Sequence, residues 1–344
     1  MLKKNLRLTA LFLAIAVLSI WAVTATSHNF SFASLVYELE NAKRGWIMLA
    51  VALMPGFIIF EGLALSSLVE GVCGVKSSWR GIVYSAADIY FSAITPSASG
   101  GQPASAFFMH ADGIDGAKTT VILIVNLILY CYSLLLSGFL AIPMGGNLFS
   151  RIETGAQILI VIGFVLIAAL SLGFWLLLRR EGIIRAVGNF CIWAGEKLHI
   201  VKNGDALRDR LSGLTVRYAD CARQMQGKGR FIFKAFVFNL LQRLCQSLIV
   251  VCCYLAVGGR KRRLLQVWSV QLMANLGAYT IPIPGGMGVA DYLLISGLER
   301  VPDMVNDTNM TLISRGISFY ASVLLSVIII GVAYTVRYTR QKKS

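Results

Sequence analysis

Charged residues are scarce in this chain, at 14% of 344 residues against 56% hydrophobic ones. A typical soluble domain has about 25% charged residues, because its surface must face water. The mean hydropathy of +0.69 agrees with this shortage. The composition therefore excludes an ordinary soluble protein and predicts that lipid surrounds most of the chain.

Acidic residues are also few, with 17 Asp and Glu against 32 Lys and Arg, for a net charge of +15. Such an excess could indicate nucleic-acid binding, but here the cations lie in loops between apolar runs and form no basic stripe with aromatic residues. They are interpreted as determinants of membrane topology. No nucleic-acid partner is predicted.

Patterns typical of metal or nucleophilic chemistry are missing from the sequence. It has no HExxH, GxSxG or P-loop pattern, and its three histidines lie far apart, at His28, His110 and His199. The seven cysteines form no CxxC pair, so buried reduced thiols are expected. No metal site, no cofactor and no catalytic activity of its own are predicted.

Six apolar runs are long enough to cross a membrane, which takes about 20 residues. The first is too long for the apolar core of a signal peptide, about 7 to 15 residues, and is predicted to remain as a transmembrane helix. The runs are Leu6–Thr26, Gly45–Leu68, Ala117–Ile142, Ala156–Leu178, Phe231–Val257 and Met310–Val336.

Two further apolar segments, Gly81–Met109 and Leu264–Leu298, are interrupted by clusters of proline and glycine. Neither cluster can continue a helix. The sequence therefore predicts one all-α domain over residues 1–344: a polytopic membrane bundle of about six spanning helices plus two re-entrant hairpins in inverted arrangement.

Lysines and arginines near the two ends of the chain predict that both termini are cytoplasmic. Segment 179–230 is basic and is predicted to form amphipathic helices on the cytoplasmic membrane face, although a solvated connector would explain it equally well. Four consecutive cations, Arg260–Arg263, would lie outside in this scheme, which the positive-inside rule disfavours.

The two proline and glycine clusters are the most informative motifs. Half-helix N-termini that follow such breaks can bind an anionic group near the membrane midplane. The alternative is a plain tight turn or a helix-packing glycine pair. The candidate lipid-binding residues are Gly100, Gly101 and Gln102 in the first cluster, and Pro284, Gly285, Gly286 and Gly288 in the second.

Ionisable residues inside the apolar segments are expensive there and are functional candidates. We assign the carboxylates Glu61, Asp88 and Asp291 to a lipid ammonium group, and the guanidinium groups of Arg243 and Arg315 to a lipid phosphate. The alternative is that these arginines pair with the carboxylates and hold helices together. The amides of Gln242, Gln246, Gln271 and Asn275 are expected to hydrogen-bond between helices.

Segments 97–108 (SASGGQPASAFF) and 282–293 (PIPGGMGVADYL) resemble the two conserved loops of a flippase-like family. That family includes the membrane half of lysylphosphatidylglycerol synthase and the YbhN-type proteins. The second loop matches the family pattern Pro-Gly-Gly-x-Gly-x-x-Glu, with Asp291 as a shortened acid. The first loop departs from its pattern, because Gln102 holds the acidic position, and Ser105 or a nearby residue replaces the arginine that the family usually has.

The resemblance implies translocation of a phospholipid, typically aminoacylated phosphatidylglycerol, between the leaflets of the cell membrane. The partners it implies are the lipid and a separate lipid aminoacyltransferase; a homo-oligomer is left open. Since the chain ends at Ser344, just after the last apolar run, no soluble transferase domain is expected. The alternatives are translocation of a polyprenyl-phosphate-linked lipid, a scaffold for a separate synthase, and a membrane-embedded transferase.

Overall fold

The computed structural model describes residues 32–95, 98–197, 204–278, 280, 288–302 and 307–341. Every regular element in this part of the chain is helical. The predicted first span, Leu6–Thr26, and the candidate residues Pro284, Gly285 and Gly286 lie outside the described residues.

Fourteen α-helices are described, together with a 3-10 turn at Lys261–Arg263 and a π-helical turn at Gly316–Tyr320. In chain order they are α1 Phe32–Asn41, α2 Arg44–Cys73, α3 Ser78–Ile94, α4 Gly101–Ala111, α5 Gly116–Gly145, α6 Leu148–Arg151, α7 Thr154–Arg179, α8 Glu181–Lys197, α9 Gly204–Gln226, α10 Gly229–Ala256, α11 Leu264–Gly277, α12 Val289–Leu298, α13 Asp307–Arg315 and α14 Ala321–Gln341.

Five helical segments are long and apolar enough to cross a membrane: α2, α5, α7, α10 and the continuous stretch Thr308–Val336. Each is 26 to 30 residues long, more than the roughly 20 that a span requires. They coincide with five of the six spans predicted from hydropathy. The chain is therefore a polytopic helical membrane protein.

Helices α3 and α4 form the first helical hairpin. The Ser105 hydroxyl on α4 donates to the Tyr84 carbonyl on α3 at 2.7 Å, and the Tyr84 hydroxyl donates to Asp112 at 2.6 Å. Both ends of the hairpin meet the N-terminal end of α5, because Arg80, Asp112 and Lys118 line one cavity of about 280 Å³. The chain thus turns back towards the end from which it came.

Helices α11 and α12 form the second hairpin, and its ends meet the opposite end of α5. Arg263 before α11 and Arg300 after α12 line a cleft together with Gly145 at the C-terminus of α5. The two hairpins therefore approach from opposite ends of α5, as an inverted arrangement requires. How deeply they enter the membrane stays a prediction.

Glycines allow these hairpins to pack closely against the long helices. A Cβ at Gly62 or at Gly81 would collide with backbone atoms of the partner helix, so α2 and α3 cross in near contact. A Cβ at Gly163 would collide with the Leu276 carbonyl, which fixes α11 against α7. Small residues are the usual means by which membrane helices approach each other.

The predicted amphipathic segment consists of α8 and α9, and α9 covers the end of the bundle where the first hairpin opens. The Tyr218 hydroxyl on α9 donates to the Leu177 carbonyl at 3.2 Å, and Arg217 forms an exposed ion pair with Asp115 at 3.8 Å. On α8, Phe190 and Trp193 are exposed. We call this end, with residues 112–118 and α9, the α9 end. The other end, with Arg151, Arg263 and Arg300, is the arginine end.

Sulfhydryl labelling tests the predicted orientation. In a cysteine-free background, single cysteines at Gly116 and at Val75, which flank the first hairpin at the α9 end, should both be labelled from the cytoplasm. A cysteine at Met304 should be labelled from outside. Labelling of Val75→Cys and Gly116→Cys from opposite faces would mean that the α3–α4 segment crosses the membrane once, and would contradict the hairpin topology.

Candidate functional site

The candidate site centres on two carboxyl groups, Glu61 on α2 and Asp88 on α3, which are within hydrogen-bonding distance of each other. Glu61 is buried and Asp88 is half-buried. Two acids this close cannot both ionise without mutual repulsion. The pair therefore offers a site for one positive charge.

Neutral donors from two helices hold the Glu61 carboxyl group. The Ser85 hydroxyl on α3 donates to its Oε2 at 3.1 Å, and Gln242 Nε2 on α10 donates to the same oxygen at 2.8 Å. Gln242 is itself only 1% exposed, and its Oε1 has no hydrogen-bond partner among the described residues. The prediction that Gln242 bonds between helices is confirmed.

The first proline and glycine cluster supplies the partners of Asp88. Gln102 Nε2 donates to Asp88 Oδ2 at 3.1 Å, and the Ser92 hydroxyl donates to Oδ1 at 3.2 Å. A Cβ at Gly101 would overlap the Asp88 carboxyl group and the Ser92 hydroxyl, so only glycine lets the turn approach this closely. Gly100 closes the turn, where its amide donates to Thr95 Oγ1 at 2.8 Å.

The geometry explains why an amide suits position 102. With Glu61 and Asp88 already in contact, a third acid here would add a like charge, whereas Gln102 contributes a hydrogen-bond donor.

Arg243 on α10 brings the positive charge to this site. It is 4% exposed, and its guanidinium lies 4.4 Å from the ring centroid of Tyr130 and 5.4 Å from that of Phe57. Its Nη1 donates to the Tyr130 hydroxyl at 3.3 Å, and its charge interacts with Glu61. We call this set the carboxyl cluster: Glu61, Asp88, Ser85, Ser92, Gln102, Tyr130, Gln242 and Arg243.

Asp291 and Arg315 form a second site. Arg315 Nε lies 2.6 Å from Asp291 Oδ1, and Asp291 is 2% exposed. The other carboxylate oxygen accepts from the amide of Gly288, whose φ of 81° is readily adopted only by glycine. Arg315 also stacks over Phe319, 5.2 Å from its ring centroid. This ion pair is the helix-to-helix pairing that the sequence left open as the alternative to lipid contact.

One expectation needs correction. Gln271 donates to Asn275 at 2.8 Å within α11, not to another helix, because residues four apart share one helix face. Asp112, which follows α4, is half-buried and accepts a hydrogen bond from the Tyr84 hydroxyl.

Ser85, Ser92 and Tyr130 were missed as members of the site. Ser85 lies three residues before Asp88 and Ser92 four residues after it, a spacing that places them on one helix face. That spacing was the available signal for both serines. Nothing in the apolar run around Tyr130 distinguishes it.

No group of three or more His, Cys, Asp or Glu residues that could hold a metal ion occurs within the described ranges. Six of the seven cysteines are shown to be free thiols, and all of these except Cys73 are buried: Cys73, Cys131, Cys221, Cys245, Cys252 and Cys253. On α9, burial raises the pKa of the Cys221 thiol.

Comparison with known protein families finds a match over most of the chain. A family model described as "Lysylphosphatidylglycerol synthase TM region" matches residues 9–326. The matched range contains the whole carboxyl cluster and the Asp291–Arg315 pair. No curated protein matches the chain.

Proposed function

The chain belongs to the lysylphosphatidylglycerol synthase transmembrane-region family, and we propose that it moves a phospholipid between the leaflets of the cell membrane. The substrate we favour is aminoacylated phosphatidylglycerol or a related anionic lipid. Membership of this family fits a lipid-related role in the membrane, and the structure supplies the groups that such a role needs.

The carboxyl cluster is the observation that carries the proposal. Glu61 is residue 18 of the 30 in α2, and Arg243 is residue 15 of the 28 in α10, so both lie near the middle of a spanning helix. Ionisable groups at that depth are costly and usually mark a path for a polar substrate. A buried cluster of two acids and one arginine therefore supports passage of a charged headgroup.

The chemistry of the cluster fits a headgroup that carries both signs of charge. A lysyl or related ammonium group could bind between the carboxyl groups of Glu61 and Asp88. Arg243 can bind a phosphate through parallel N–H bonds. Gly101 and Gln102 begin α4, so free backbone amides of this helix end add a further site for an anion.

The second hairpin would contribute the matching half of the path. The acid of the Asp291–Arg315 pair lies in the first turn of α12, beside the cluster of residues 282–288. Opening this ion pair would expose one acid and one arginine to a headgroup. We therefore place the lipid between the two hairpins, with Asp291 and Arg315 as its second set of contacts.

Reconstitution tests the proposal directly. The purified chain would be placed in phosphatidylcholine vesicles with a trace of fluorescent lysyl-phosphatidylglycerol in both leaflets. A membrane-impermeant quencher should then bleach more of the fluorescence than the fraction in the outer leaflet. Fluorescent phosphatidylcholine should move more slowly, because its quaternary ammonium group has no N–H to donate to Glu61 and Asp88. Bleaching equal to that of protein-free vesicles would contradict translocation.

Gly101→Ala should reduce translocation strongly. The added methyl group overlaps the Asp88 carboxyl group and the Ser92 hydroxyl, and overpacking of this kind costs about 1 to 3 kcal/mol. We expect the initial bleaching rate to fall by about tenfold, since a factor of ten corresponds to about 1.4 kcal/mol.

Gly173→Ala on α7 is the matched control, because its added methyl group meets nothing within 4 Å. It should leave both translocation and the yield of folded protein unchanged. Wild-type transport by Gly101→Ala would show that the close approach of the first turn to Asp88 is not needed for translocation.

A further inference from the structure

We propose that the cleft at the arginine end binds the phosphate groups of an anionic lipid headgroup, at a site separate from the carboxyl cluster. The cleft has a volume of about 510 Å³. Its polar lining comes from Arg151, Arg263, Arg300, Gln266 and Asn147. We call it the arginine cleft; the inference does not depend on translocation.

Three separate parts of the chain converge to build the arginine cleft. Arg151 ends the short helix α6, Arg263 precedes α11, and Arg300 follows α12. Guanidinium groups brought together from three segments repel one another, although water weakens this repulsion at the exposed Arg151 and Arg300, and an anion between them would relieve it. Their convergence in one concave surface therefore points to a multiply charged anion.

The charges around the cleft leave it positive. Among the described residues that line it, three are arginines and none is acidic. The acids that neighbour these segments along the chain are Glu153, Glu299 and Asp303, and Glu153 accepts a hydrogen bond from the Tyr292 hydroxyl at 2.7 Å. Arg263 Nη1 donates to Gln266 Oε1 at 3.4 Å, so two of the lining side chains hold each other.

The position of the cleft favours a lipid over a soluble phosphate. Ile142, one turn before Gly145 on α5, is 55% exposed, and Leu265, next to Gln266, is 57% exposed. Exposed apolar side chains on a spanning helix and on a neighbouring hairpin helix of a membrane bundle would face lipid acyl chains. A headgroup in the cleft would thus continue directly into tails that lie along Ile142 and Leu265.

The same site would account for one of the cations that the topology disfavours. Residues 260–263 supply four consecutive cations at the end predicted to be outside, where the positive-inside rule does not favour them. A bound anionic lipid would offset the cost of keeping Arg263 there.

Photocrosslinking tests the site. The purified chain in phosphatidylcholine nanodiscs would be irradiated with a trace of photoreactive cardiolipin, phosphatidylglycerol or phosphatidylcholine, and adducts mapped by mass spectrometry. The two anionic lipids should label residues 142–151, 263–266 and 298–302, and phosphatidylcholine should not. The variant R151Q/R263Q/R300Q should lose about tenfold in labelling, as expected for three partly exposed charge pairs.

The control variant R260Q/K261Q/R262Q removes the same charge from the same end of the molecule but from residues that do not line the cleft. It should label as the wild type does. An equal loss of labelling in both variants would mean that anionic lipids are attracted by the general positive charge of this end, and would contradict a specific site in the cleft. If free pyrophosphate suppressed the labelling and the three lipids labelled the cleft equally, the assignment of a lipid to the cleft would be overturned. Unchanged labelling of a correctly folded R151Q/R263Q/R300Q variant would overturn the proposal altogether.

Discussion

Arg315→Gln and Asp291→Asn should each lower the free energy of unfolding by about 3 to 5 kcal/mol, the usual consequence of leaving one charge of a buried pair without its partner. The pair is short, at 2.6 Å, and Asp291 is 2% exposed. Thermal unfolding of the purified variants measures the effect. Unfolding is detected as the loss of monodisperse protein after heating.

The double variant D291N/R315Q separates the two roles that these residues could have. Since both charges are gone, it should recover most of the lost stability. If the pair also contacts lipid, the double variant should remain defective in translocation although it is folded. Recovery of both stability and translocation would refute the lipid-contact role for Asp291 and Arg315.

An exposed ion pair elsewhere in the chain provides the control. Arg217 and Asp115 lie 3.8 Å apart, with side chains 65% and 46% exposed. Arg217→Gln makes the same chemical change as Arg315→Gln, but should alter the free energy of unfolding by less than about 1 kcal/mol.

Gln102→Glu should abolish most translocation. It replaces the amide that donates to Asp88 with a third acid beside the contacting carboxyl groups of Glu61 and Asp88. Two like charges 4 Å apart repel by up to about 4 kcal/mol in a partly screened interior. Protonation would relieve part of this repulsion, so the defect should be smaller in acidic buffer.

The compensating variant D88N/Q102E tests this electrostatic explanation. It exchanges the acid and the amide, so that the hydrogen bond between positions 88 and 102 can form in the opposite direction. We expect partial recovery of the bleaching rate relative to Gln102→Glu alone. His110→Glu, at the exposed end of α4, adds an acid to the same helix and should be harmless. A Gln102→Glu variant as active as wild type would remove Gln102 from the site.

Hydropathy predicted the spans well, since five of the six apolar runs coincide with helices long enough to cross the membrane. Proline and glycine predicted the two breaks, because clusters of these residues disfavour a continuous helix, whereas the single prolines Pro55 and Pro143 lie inside α2 and α5. Such local rules do not reveal which side chains meet. The pairing of Asp291 with Arg315 could therefore be named only as one of two alternatives.

The contact between Glu61 and Asp88 was beyond prediction for a more specific reason. Two acids on consecutive helices would be expected to repel, and hydropathy gives no helix-crossing angle. Here Gly62 and Gly81 bring α2 and α3 into near contact, and Ser85 and Asp88 follow on the same face of α3. Packing at two glycines, not attraction between the acids, brings the carboxyl groups together.

The π-helical turn at Gly316–Tyr320, directly after Arg315, has a consequence for comparing related chains. A π turn holds one residue more than an α turn, and each α-helical residue advances about 100° around the axis. A relative with one residue fewer in this turn could form a continuous α-helix here. Its arginine would still face inward, and its counterpart of α14 would keep the same position. A single-residue gap between such sequences therefore belongs in residues 316–320, where the helix absorbs the change in length without a shift of register on either side.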